Sequence, residues 1–221
     1  MIPYRIIDVT MWMDNYTFTN DQVFSVKGPF NRIIGDNPEY VYDLYLCTQT
    51  GTHIQGGHYF REKGKRIEEY PLTAFEGEAV LIDILKRGED ITKAELIQRI
   101  GSINIQHKIL ILRTGHMDEV IRTGKIENAA RPGLSLEAAV YLAKEKKIKM
   151  LAIDSVGVES RITKNYDVNW YLCGQDVLIL EGLINLSAVS KQEVFLEAFP
   201  LKIRNVEGTP CRAIIREPII L

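Results

Sequence analysis

Residues 135–154, SLEAAVYLAKEKKIKMLAID, decide the class of fold. Ser135 is a good N-cap, and Leu136, Ala139, Val140 and Ala143 recur at helical spacing, which predicts a helix over LEAAVYLAKEKK. Met150–Asp154 then switches to a short apolar run of strand type. Working outward, further strand-like runs occupy Ile6–Thr10, Val41–Thr48, Ala79–Ile84, Lys108–Thr114, Val177–Leu180, Val194–Ile203 and Cys211–Ile220. A second helix is marked by Thr92 and Glu95, a capping box ahead of AELIQRIG, with Gly101 as its stop. Strands outnumber helices and do not alternate with them regularly. The chain therefore reads as one mixed α/β domain over 1–221, not a doubly wound nucleotide-binding fold. Residues 11–39 lack periodicity and hold Asn, Gly and Pro, together with Trp12, Tyr16, Phe18, Phe24 and Phe30. They read as an irregular arm or lid.

Composition narrows the function by exclusion. With 221 residues, 46% of them hydrophobic, the chain can bury a large core. A formal net charge of −2 gives no basic surface for nucleic acid. Lys144, Lys146, Lys147 and Lys149 alternate with Glu and Ile and read as a solvated face. No apolar run approaches the roughly 20 residues of a membrane span, and MIPYRIIDVT lacks the features of a signal peptide. A cytoplasmic location is expected. Cys47, Cys173 and Cys211 are too few and too scattered for a disulfide framework or a zinc motif and read as free thiols.

TQTGTHIQGGHYF, residues 48–60, reads as a loop in which His53 and His58 point to a site. Six segments in order, IIDVT, TGTHIQGGHYF, ILILRTGH, RPGLSLEAAVYLAKEKKIKMLAIDSVGVE, DVLILEGLINL and FPLKIRNVEGTPCRAI, resemble the cyclase and metal-dependent hydrolase family that includes bacterial kynurenine formamidase. The resemblance implies a β-rich domain with a barrel-like sheet core and flanking helices. It also implies hydrolysis of amide or related bonds at a zinc or manganese site, and a homodimer or homotetramer.

Carried over position by position, the family's ligands fall on Gln49, His53, Gln55, Asn169 and Glu181, so only His53 and Glu181 keep a ligating type. The family's proton-transferring His falls on Tyr59, with His58 one position earlier, and its loop proline falls on Gly57. Gln and Asn offer neutral oxygens, whereas zinc is held by imidazole, thiolate or carboxylate. Without a metal, the route that lowers the pKa of water from 15.7 to about 7 is closed. All three replacements are carboxamides, which keep a pocket polar. Losing Asp at position 55 also relieves repulsion with Glu181.

The leading expectation is therefore a small-molecule enzyme without a cofactor, catalysing cyclisation, elimination or isomerisation by acid–base chemistry. His53, His58 or Tyr59, and Glu181 would be catalytic, and Gln49, Gln55, Asn169 and Trp12 would bind substrate. One alternative is a zinc- or manganese-dependent formamidase-like hydrolase using His53, His58 and Glu181. The other is a non-catalytic binding or assembly protein. His107 and His116 read as surface or packing residues.

Overall fold

In this computed structural model, residues 3–13, 24–34, 37–162 and 165–219 are described. Their strands are β1 (Tyr4–Asp8), β2 (Phe24–Ile34), β3 (Asn37–Leu46), β4 (His53–Gln55), β5 (Glu76–Asp83), β6 (Asp90–Ile91), β7 (Ile109–Arg113), β8 (Gly133–Leu134), β9 (Met150–Ile153), β10 (Leu178–Glu181), β11 (Glu193–Pro200) and β12 (Gly208–Pro218). The helices are α1 (Lys93–Ile100), α2 (His116–Thr123), α3 (Leu136–Val140) and α4 (Asp167–Gly174). The chain after α3 continues through Tyr141–Glu145 as a wider π-type turn.

The sheet runs β12-β11-β5-β7-β9-β10-β4, and β4 pairs again with β12, so seven strands close into a barrel. β1 lies outside the ring against the far end of β12. β5, β7, β9 and β10 are parallel neighbours, whereas β4, β11 and β12 pair antiparallel. The parallel strands are buried on both faces, which is why they read as unbroken apolar runs. Leu81, Ile111, Ala152 and Leu180 fill the interior together with Ile54, Leu196 and Ala213. The alternate residues Ile82, Leu110, Leu151 and Ile179 pack outward against Leu96 and Ile100 of α1, Ala139 of α3 and Leu172 of α4.

Both helices marked in the sequence have their own caps. Thr92 Oγ1 accepts the Glu95 N–H at 3.3 Å while Glu95 Oε2 accepts the Thr92 N–H at 2.9 Å. Ser135 Oγ accepts the Ala138 N–H at 3.2 Å. The other two helices carry no such signal, because their caps come from elsewhere. α2 starts at Gly115, whose φ of 81° suits glycine, and Asp154 accepts the N–H groups of Thr114 and Gly115 at 2.6 and 2.8 Å. α4 starts under Glu159, which accepts the N–H groups of Val168 and Asn169 at 3.2 and 3.0 Å.

Two expectations need correction. The segment 48–60 is not all loop, since His53–Gln55 forms the strand that closes the barrel. The 11–39 segment is not irregular throughout. Phe24–Ile34 pairs with Asn37–Leu46 as a two-stranded sheet, and a register break between Lys27 and Phe30 hides its alternation. Tyr16 and Phe18 lie outside the described residues. Among the described residues, β2 and β3 pair only with each other, and Val26, Tyr40, Tyr42 and Leu44 are exposed on them.

Candidate functional site

Alternation along β4 places the site. Ile54 points into the barrel, so His53 and Gln55 point out of it, toward α4. Antiparallel pairing sets His53 opposite Glu181 and Gln55 opposite Ile179. His53 Nε2 stands 3.4 Å from Glu181 Oε2, with both side chains less than a tenth exposed. His53 Nδ1 lies 2.9 Å from the carbonyl oxygen of Gly51, which makes Nδ1 the donor. Nε2 therefore faces the carboxylate either as a lone pair or, in the charged ring, as a second N–H. Glu181 Oε1 is fixed by the Val158 N–H at 3.0 Å, leaving Oε2 to the imidazole. The pair can hold and move one proton. Arg131 lies in the field of Glu181, but its Nη1 donates to the carbonyls of Gly157 and Glu159 at 3.3 and 2.8 Å.

The three carboxamides divide. Gln55 Nε2 donates to Asn169 Oδ1 at 3.3 Å, and Asn169 Nδ2 donates to Glu159 Oε2 at 2.9 Å. Gln55 Oε1 is buried and accepts no hydrogen bond among the described residues. Gln49 is turned away from this chain of amides, its Nε2 donating to Glu207 Oε1 at 3.0 Å, where the Thr48 hydroxyl also donates. Sequence reasoning missed Glu207. The only available signal was its place in the VEGTPCRAI segment, because what brings it to the site is the pairing of β12 with β4.

The bend after β4 presents Tyr59. The Gly56 N–H donates to the Glu207 carbonyl and the Gly57 N–H to Tyr70 Oη, both at 2.9 Å. A Cβ on Gly56 would meet the Tyr70 ring at 2.7 Å, so the bend requires glycine there. Burial first, then the charges of Glu181 and Glu207, hold the Tyr59 phenol above its ordinary pKa, so it stays protonated near the pair. His58 has no hydrogen bond to His53 or Glu181. Its Nδ1 is buried without a hydrogen-bond partner among the described residues. Trp12 is 81% exposed, its ring in solvent, although the neighbouring Met11 N–H donates to Thr52 Oγ1 at 2.8 Å.

His116 is a packing residue at the start of α2, and burial pushes it down to about 4. Cys173 and Cys211 are buried free thiols pushed up to about 12 by burial, and Cys47 is a half-buried one.

Among the described residues, no three His, Cys, Asp or Glu side chains are grouped to hold a metal ion. One imidazole, one carboxylate and two linked carboxamides are a poor donor set for zinc or manganese. The residues present do not fit that ion.

The family model described as "Putative cyclase" matches residues 7–160. The kynurenine formamidase of Bacillus cereus is 28% identical over 213 residues, covering 95% of this chain and 96% of that protein. The enzyme of the same name from Geobacillus thermodenitrificans is 28% identical over 215 residues, covering 96% and 97%. Among solved structures, isatin hydrolase A from Labrenzia aggregata bound to benzyl benzoate superposes with a TM-score of 0.82 at 21% identity, over 98% of this chain and 94% of that one. A predicted metal-dependent hydrolase from Bacillus stearothermophilus gives 0.77 at 24%, over 97% and 98%. The chain belongs to the cyclase family.

Proposed function

We propose that this cyclase-family chain acts on a small organic molecule by acid–base chemistry at the His53–Glu181 pair, with no metal ion supplying the nucleophile. The observation that carries the reading is the pair itself: a buried imidazole and carboxylate 3.4 Å apart, one fixed by Gly51 and the other by Val158. The pair takes a proton from the substrate, and the Tyr59 hydroxyl returns one to a developing oxyanion. Gln55 Oε1 accepts a donor of the substrate and orients it. Such general acid–base work contributes about 10²–10⁴-fold, enough for cyclisation, elimination or isomerisation of a substrate with an already acidic C–H or O–H.

The likeness to kynurenine formamidases favours a second reading, amide hydrolysis with zinc or manganese on His53, His58 and Glu181. One experiment separates the two. Turnover of a panel of lactones, hydroxy acids and formamides is measured before and after exhaustive chelation. Activity that survives chelation and falls about 10²–10⁴-fold in Glu181→Gln supports the acid–base reading. Activity that appears only with added zinc or manganese sinks it.

The same reading includes self-association as a homodimer or homotetramer. An isolated hairpin is marginal in water, and β2–β3 leaves Val26, Tyr40, Tyr42 and Leu44 open. Leu44→Glu should shift the mass measured by light scattering toward the monomer, and a wild-type monomer at micromolar concentration would contradict the idea.

A further inference from the structure

Glu207 is a carboxylate held at two points. Its carbonyl accepts the Gly56 N–H at 2.9 Å. Its Oε1 receives the Thr48 hydroxyl and, at 3.0 Å, Gln49 Nε2. Among the described residues no donor reaches Oε2, and no Lys, Arg or His forms an ion pair with Glu207. Oε2 is also absent from the buried, unbonded atoms, so it is open to an incoming group. Gly208 stands opposite Gln55 across the β4–β12 ladder, which places Glu207 beside the bend that carries Tyr59. The rise in the Tyr59 phenol, to which Glu207 contributes, agrees with that placement.

The hydrogen-bonding groups around Tyr59, whose own hydroxyl is a donor, are mostly acceptors. Glu181, the open oxygen of Glu207 and the unbonded Oε1 of Gln55 are acceptors. Arg131, a cation in the field of Glu181, has committed Nη1 to backbone carbonyls. A ligand that brings donors therefore finds partners here, and a fixed carboxylate rewards a charged donor about twice as strongly as a neutral one. We propose that Glu207 is a substrate-binding residue of the His53–Glu181 site, selecting small molecules that present an amidinium or protonated amine. Gln49, at a former ligand position, then serves to aim Glu207. The inference rests on the reading of this face as a small-molecule site.

A purely structural latch is the competing role, and the conservative variant separates the two. In Glu207→Gln the side-chain oxygen can still accept from Thr48 and Gln49, but the charge is gone. Benzamidine and its neutral analogue benzamide are titrated calorimetrically into the wild type and the variant, and melting temperatures are recorded. The expected result is wild-type binding of benzamidine at least about tenfold tighter than benzamide. In Glu207→Gln that binding weakens about 10- to 100-fold, while benzamide affinity and melting temperature hold.

Equal wild-type affinity for the two probes, or benzamidine binding unchanged in the variant, overturns the role of Glu207 and leaves the small-molecule site standing. Binding of neither probe overturns both. Should the variant not fold, a wild-type crystal with benzamidine decides. An amidinium at Glu207 Oε2 supports the proposal, and one seated elsewhere overturns it.

Discussion

Asp154 and Glu159 stand five residues apart after β9, and each caps a helix that has no cap of its own. Asp154 is saturated by its neighbours. Oδ1 takes the Thr114 N–H and, at 2.7 Å, the Thr114 hydroxyl, and Oδ2 takes the Gly115 N–H. No side chain beyond Thr114 donates to it through these bonds. Glu159 makes the same kind of cap but also receives Asn169 Nδ2, and through Asn169 it reaches Gln55 on β4. One carboxylate ends in a helix start, and the other continues into the site. Burial alone thus does not separate the two acids; what lies one hydrogen bond further on does.

The largest effect that could break this comparison is on stability. Burial, against three hydrogen bonds, pushes the Asp154 carboxyl up to about 7 from the ordinary 3.8. The folded protein therefore binds more protons than the unfolded chain between those values. By linkage, this group's contribution to stability is full below about pH 4 and is lost as pH rises toward 7. Asp154→Asn places an NH₂ against backbone donors and should cost roughly 1–3 kcal/mol in urea unfolding at pH 4.5. The gap to wild type should narrow by pH 8, with turnover per folded molecule unchanged. Glu159→Gln should cost less, about 0.5–2 kcal/mol as for a lost cap, but should weaken ligand binding. If Asp154→Asn loses activity and Glu159→Gln does not, the division is wrong.

A second effect sharpens the same contrast. Gln55→Asp and Asn169→His together replace the amide chain hanging from Glu159, and Gln49→His replaces a donor to Glu207, to return metal donors beside His53 and Glu181. The triple variant should be more stable with zinc than without, by about 2.7 kcal/mol at a hundredfold excess over the dissociation constant, while the wild type does not respond. A folded triple variant with no zinc response would mean that the backbone around β4 has moved away from the family's arrangement.

How far the sequence could be read follows from the range of the interactions involved. Runs such as ILILR and MLAI were legible because double-sided burial writes itself as continuous apolar residues. α1 and α3 were legible because Thr92 and Ser135 lie next to the helices they cap. α2 and α4 were not, since Asp154 precedes neither in any local pattern and Glu159 lies nine residues before Val168. β4 was hidden because its one interior residue, Ile54, is flanked by the polar His53 and Gln55. At the site, the resemblance located His53 and Glu181, and the cross-strand register then paired them. Glu207 depended on a barrel closure that no local pattern records, and the aromatic character of Trp12 suggested a lining role that its exposure does not match.

The barrel is closed by its shortest strand. Three residues of β4 carry the ladders to both β10 and β12, and two of the three are His53 and Gln55. The ladders of β10 to β9 and to β4, and of β12 to β4, each hold three register pairs, the fewest in the ring, so partial opening of the ring is expected on this side, where the site lies. A bound ligand then acts as a clasp on the ring as well as a reactant. Exchange of the Ile54 amide, among the most deeply buried residues, should then slow when a ligand binds.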